Sequence, residues 1–147
     1  MKSENREIEI LFRALADRTR LRLLSLMGDD EICVCFLVEV LKTNQPKISR
    51  HLAYLRRAGV VASRREGKWM NYRIVNPRDE HAARIFREVR TWLASDPVLQ
   101  RDRTRLNKIC CAPRLSCALG ISTRNYRRCC VLRFSSRILH HGTGFSC

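Results

Sequence analysis

Apolar positions recur at helical spacing from the start of the chain. Ile8, Leu11, Phe12 and Leu15 share one stripe and predict a helix over 4–16. Asp17 then offers an N-cap for a second helix reaching Met27, with Leu21, Leu24 and Leu26 inside and Gly28 as its stop. The acidic run Asp29-Asp30-Glu31 suits the positive end of a helix dipole and predicts a third helix to about Lys42. Thr43-Asn44-Gln45 reads as a short turn, and Pro46 fits the first turn of a fourth helix ending at Gly59. Two helices joined so closely form a helix-turn-helix. The pattern then changes period. Segments 60–65 and 69–75 read as strands around Glu66-Gly67-Lys68, a β-hairpin. Asn76-Pro77 predicts the cap of a further helix over 78–94, with Ala82, Phe86, Val89 and Leu93 on one face. Asp96-Pro97 breaks that helix, and a short one follows over 98–108.

The expected architecture is mainly α with a small β-hairpin, a winged helix-turn-helix. Residues 1–95 are expected to form that domain, 96–117 a C-terminal extension with a Cys-Cys segment, and 118–147 a basic tail. Residues 118–147 contain no acidic residue and no sustained period, so disorder is expected there.

The fourth helix carries the most specific pattern. At about 100° per residue, Ile48, Leu52 and Leu55 fall on one narrow face. Ser49, Arg50, Ala53 and Arg57 lie opposite, with Lys47, His51 and Tyr54 on a flank and Gln45 at the leading end. A buried stripe backed by small and basic residues suits insertion into a major groove, where Arg and Lys meet guanine edges or phosphates. An ordinary solvated helix would show a similar pattern. The hairpin separates the two readings: Arg64, Arg65 and Lys68 cluster at its tip, where a wing would touch the DNA backbone or minor groove. The candidate DNA-binding residues are therefore Gln45, Lys47, Ser49, Arg50, His51, Arg57, Arg64, Arg65 and Lys68. Trp69 and Tyr72 fit hairpin packing better than base stacking.

Composition supports a polyanionic partner, with a net charge of +15. More than half of that excess lies beyond residue 100, where Asp102 is the single acidic residue. Charge alone therefore does not locate the DNA surface. No apolar run approaches the roughly 18 residues of a spanning helix, and the amphipathic N-terminus is unlike a signal peptide. A cytoplasmic protein with reduced thiols is expected. Its 8 cysteines then favour metal or redox chemistry over a disulfide framework.

Over about residues 5–94 the chain resembles the ArsR/SmtB family of metal-sensing transcriptional repressors. The resemblance is carried by segments 12–24, 45–52, 55–61 and 64–73 and by the box Ile32-Cys33-Val34-Cys35. It implies a homodimer on double-stranded operator DNA, released by a metal or metalloid. In the arsenic-sensing branch the inducer is As(III) or Sb(III) held by three cysteine thiolates, and no further cofactor is required. The branch usually places an acidic residue and often a third cysteine just after the box, where this chain has Phe36 and Val38. The resemblance thus directs attention to Cys110, Cys111 and Cys117 as further ligands beside Cys33 and Cys35. The zinc-sensing branch is matched at Asp79 and His81, but Trp92 stands where it has a second histidine. Cadmium and lead sensors add cysteines in an N-terminal arm, and this chain has none before Cys33.

Soft thiolates select soft ions, and a helix N-terminus favours the thiolate. Placed in the first turn of the third helix, Cys33 and Cys35 would point about 200° apart. Binding one ion to both would then require that turn to unwind, a distortion close enough to reach the fourth helix. Cys129, Cys130, Cys147 and the pair His140-His141 read as incidental to the site. The alternatives keep the fold and change the trigger to Cd, Pb or thiol oxidation. A thiol-dependent oxidoreductase is disfavoured because the chain lacks Cys-x-x-Cys and any His/Asp activating pattern. A non-enzymatic regulator is expected.

Overall fold

A computed structural model describes residues 2–110. Six helices and three short strands follow one another as α1 (Lys2–Leu15), α2 (Arg18–Met27), β1 (Ile32–Cys33), α3 (Val34–Leu41), α4 (Gln45–Arg57), β2 (Val61–Glu66), β3 (Trp69–Ile74), α5 (Glu80–Ser95) and α6 (Pro97–Cys110). The architecture is the expected mainly α winged helix-turn-helix, with α3 and α4 as the helix pair and β2–β3 as the wing. Cys111, Cys117 and the tail 118–147 lie outside the described residues.

Local chemistry sets most of the boundaries. Asp17 caps α2, its carboxylate accepting from the Arg20 amide at 2.9 Å. Asn44 does the same for α4 through the Lys47 amide at 3.0 Å, with Pro46 in the first turn. α3 ends at Lys42, which adopts a left-handed conformation (φ 50°) usually left to glycine.

The third helix differs from expectation. Residues Ile32 and Cys33 are extended and form an edge strand, paired antiparallel to β3 with Ile32 opposite Tyr72 and Cys33 opposite Asn71. The sheet order is β1-β3-β2. The hairpin's outer strand leaves an unpaired edge, and two residues of α3's lead-in satisfy it. The acidic run before them serves a turn instead of a helix start, with the Asp30 amide donating to the Met27 carbonyl at 2.9 Å. α5 also begins later than the sequence suggests. Asp79, not Asn76, is its N-cap, accepting from the Ala82 amide at 2.7 Å.

The core gathers Leu11, Leu23, Leu24, Leu26, Phe36, Leu37 and Phe86 around the stripe Ile48, Leu52 and Leu55 of α4, all fully buried. Burial of each such side chain is worth about 1.5–3 kcal/mol, so the stripe fixes the roll of α4 and hence which residues face outward. α6 packs on α2 and α3, burying Leu99, Leu106, Ile109 and Cys110. It is clamped there by an ion pair. Arg22 Nε donates to Asp102 Oδ2 at 2.6 Å and an Nη donates to Oδ1 at 2.9 Å, which raises the guanidinium pKa. Among the described residues, no helix is long and apolar enough to cross a membrane.

Candidate functional site

With its apolar stripe inward, α4 presents Gln45, Lys47, Arg50 and Arg57 to solvent, while Ser49 and His51 are half-buried. His51 faces the N-cap of α2, its Nδ1 lying 3.4 Å from Asp17 Oδ1. That contact ties α4 to α2 and limits what the imidazole can offer to a groove. Tyr54 is exposed, and the Arg20 guanidinium lies 5.1 Å from its ring centroid. Arg20 is itself anchored, donating to the carbonyls of Ala14 and Arg13. This Arg20–Tyr54 pair sits beside the basic face and was not legible in the sequence, where the two residues belong to unrelated stripes.

At the wing, Arg65 and Lys68 are exposed. Arg65 Nε donates to the Gly67 carbonyl at 3.0 Å, and Lys68 Nζ lies 5.0 Å from the Trp69 ring centroid. Arg64 is differently placed. It donates to Glu31 at 2.9 and 2.6 Å and to Glu66 at 3.1 Å, and these carboxylates raise its pKa. Glu66 also accepts from the buried Asn71 side chain at 3.2 Å. Arg64 thus links the segment preceding the thiols to the wing, and it must exchange carboxylates for phosphates to reach DNA.

The thiols occupy the junction of β1 and α3. Cys33 is buried and serves as the N-cap residue of α3 in an extended conformation (φ −67°, ψ 139°), while Cys35 is half-buried in the first turn. Since Cys33 is not helical, the opposed arrangement expected for two residues within one turn does not arise. Cys33 hydrogen-bonds the Cys35 side chain, and this is the main reason the Cys35 pKa is lowered to about 7. Burial opposes that shift and a backbone hydrogen bond adds to it. The extended Cys33 and the helical Cys35 are thus hydrogen-bonding neighbours across the start of α3. The pair suits a thiophilic ion: one thiolate is available near neutral pH and the second thiol is in contact with it.

Among the described residues, no group of three or more His, Cys, Asp or Glu is assembled to hold a metal. Cys110 is buried at the end of α6. Of the two residues matching the zinc-sensing branch, Asp79 is occupied as a helix cap and His81 is exposed, as is the mismatched Trp92.

Comparisons with known proteins bear on the family and the fold. The family model described as "Bacterial regulatory protein, arsR family" matches residues 17–63. The chain is 47% identical over 79 residues to the arsenical resistance operon repressor of Escherichia coli, covering 53% of this chain and 68% of that protein. It is 52% identical over 66 residues to the arsenic resistance transcriptional regulator ArsR1 of Pseudomonas putida, covering 44% of this chain and about half (52%) of that one. Among solved structures, the homodimeric winged helix-turn-helix DNA-binding domain of a possible ArsR-family transcriptional regulator from Mycobacterium bovis superposes with a TM-score of 0.52. It shares 30% identity and covers 62% of this chain and 82% of that chain.

Proposed function

Because this chain belongs to the arsR family of bacterial regulatory proteins, a family of transcriptional repressors and not of enzymes, we propose that it is a metalloid-responsive repressor. In this reading a cytoplasmic homodimer holds operator DNA and lets go when As(III) or Sb(III) binds its cysteine thiolates. The observation that carries the proposal is the hydrogen-bonded pair Cys33–Cys35 at the start of the helix-turn-helix. Arsenical-resistance relatives support the choice of ion.

Gln45, Lys47, Ser49, Arg50, His51 and Arg57 would read or flank the major groove, and Arg64, Arg65 and Lys68 would hold the backbone. Cys33 and Cys35 would supply two thiolates to the inducer, and Cys110, Cys111 or Cys117 the third. The route from ion to DNA runs through both neighbours of the thiols. Cys35 belongs to α3, one turn away from α4, and Cys33 belongs to the strand paired with the wing. A tenfold loss of affinity needs only about 1.4 kcal/mol of inducer preference for the non-binding state.

Fluorescence anisotropy on DNA from upstream of the protein's own coding region tests this. Arsenite should release the wild type, whereas Cys33→Ser and Cys35→Ser proteins should stay bound. Release of the double variant at wild-type arsenite concentrations would refute the assignment. Serine at Cys110, Cys111 and Cys117 in turn, read by arsenic-edge X-ray absorption, identifies the third sulfur.

A second reading is favoured by the lowered Cys35 pKa, since a thiolate at neutral pH is also the form that oxidants attack. Release by peroxide but not by arsenite would select it.

A further inference from the structure

Where the C-terminal end of α2 meets α5 and α6 there is a half-open cavity of about 270 Å³, lined by no thiol and by no residue of α4. Arg87 and Arg90 of α5 and Arg103 of α6 converge on it, beside Ser25, Gly28 and Asp29. Arg90 is engaged, donating to the Gly28 carbonyl at 3.3 Å and to the Asp29 carboxylate. The guanidinium groups of Arg87 and Arg103 have no hydrogen bond or ion pair among the described residues. Ser25 is only 6% exposed, and its Oγ is buried without a hydrogen-bond partner among those residues. Such a hydroxyl ordinarily finds a partner. Gly28 keeps the cavity wall thin: a Cβ there would lie 3.0 Å from an Arg103 Nη, at a φ of +53° that disfavours any side chain.

We propose that this cavity binds a small oxyanion of the phosphate type, either inorganic or the end group of a small phosphomonoester. Guanidinium forks match phosphate oxygens two at a time. Two forks arriving from α5 and α6 suit a tetrahedral ion better than a planar carboxylate, which a single fork would satisfy. Asp29 opposes an anion, but its charge is already balanced by Arg90, leaving two cationic groups to receive the ligand. The cavity, about 270 Å³, has room for an oxyanion or a small phosphomonoester. A bound oxyanion would bridge α5 to α6, the carrier of Cys110.

Isothermal titration of the full chain at constant ionic strength tests the site, using inorganic phosphate, glycerol 3-phosphate and glycerol. Saturable one-site binding of phosphate is expected, with no binding of glycerol. Tighter binding of glycerol 3-phosphate assigns the site to phosphomonoesters; equal or weaker binding assigns it to the free ion. Arg103→Gln and Arg87→Gln should each weaken binding about tenfold or more, the loss of one charge-assisted contact. Arg103→Lys should recover part of that loss, and Arg84→Gln, an exposed charge elsewhere on α5, should change nothing. Arg87 is exposed, so its variant remains informative even where an Arg103 variant fails to fold. Absence of saturable binding, or an equal loss in Arg84→Gln, would overturn the proposal.

Discussion

Breaking the clamp between α2 and α6 should destabilise the domain by about 2 kcal/mol. The perturbation is Asp102→Asn, which keeps the shape of the side chain and removes its charge. Asp102 and Arg22 are 80 residues apart in sequence and share two hydrogen bonds of 2.6 and 2.9 Å. The Asp102 side chain is 10% exposed and that of Arg22 30%. Removing one partner of a buried pair typically costs about 3–5 kcal/mol, because the other charge is left unpaired in the interior. Arg22 retains enough contact with water to recover part of that loss, hence the lower figure. Urea denaturation of wild type, Asp102→Asn, Arg22→Met and the double variant gives the coupling energy directly. About 1–2 kcal/mol of coupling is expected, with the double variant less destabilised than the sum of the singles. Coupling below about 0.5 kcal/mol would show that the two side chains act independently and that apolar burial alone holds α6 in place. Cys110 closes α6, so Asp102→Asn should also weaken arsenite affinity if that helix delivers the third sulfur.

Further outcomes follow from the same geometry. Arg50→Ala should relax discrimination between operator and random DNA, whereas Arg65→Ala should weaken all sequences alike and flatten the salt dependence by about one unit; competition binding at several salt concentrations separates them. Iodoacetamide should alkylate Cys35 with an inflection near pH 7 in the wild type and a higher one in Cys33→Ala, which removes the hydrogen bond. The sign for stability follows: an unfolded thiol titrates near ~8.5, so the Cys35 contribution is present above that pH and is lost as pH falls through about 7. Asn44→Ala removes the side chain that caps α4 and should cost about 1 kcal/mol by thermal or chemical unfolding.

Much of this was legible from the chain because it rests on local chemistry. The stripe Ile48, Leu52 and Leu55 obeys the helical period and is wholly buried, and Asp17 and Asn44 cap the helices that follow them. What stayed hidden depends on residues far apart in sequence. A two-residue strand has no period to detect, so Ile32 and Cys33 read as helix, and the acidic run before them strengthened that reading. Their extended conformation is set by the unpaired edge of β3, some forty residues later. The Arg64–Glu31 pair, the Arg20–Tyr54 contact and the Arg22–Asp102 clamp share that origin. The candidate DNA face needed the α4 pattern together with the basic tip of the adjoining hairpin, both local signals, and was therefore accessible. The relation between the two sulfurs required the sheet.

That short edge strand also sets the scale of any signal leaving the thiols. Two residue pairs make up the ladder of β1 on the wing, and a ladder of that length has little cohesion of its own. Under the proposed function, an ion bound by Cys33 and Cys35 would strain this short ladder before the hairpin behind it, six pairs long from Val61 opposite Ile74 to Glu66 opposite Trp69. The strand would then act as a latch with a short throw, letting the lever change its seat while keeping its form.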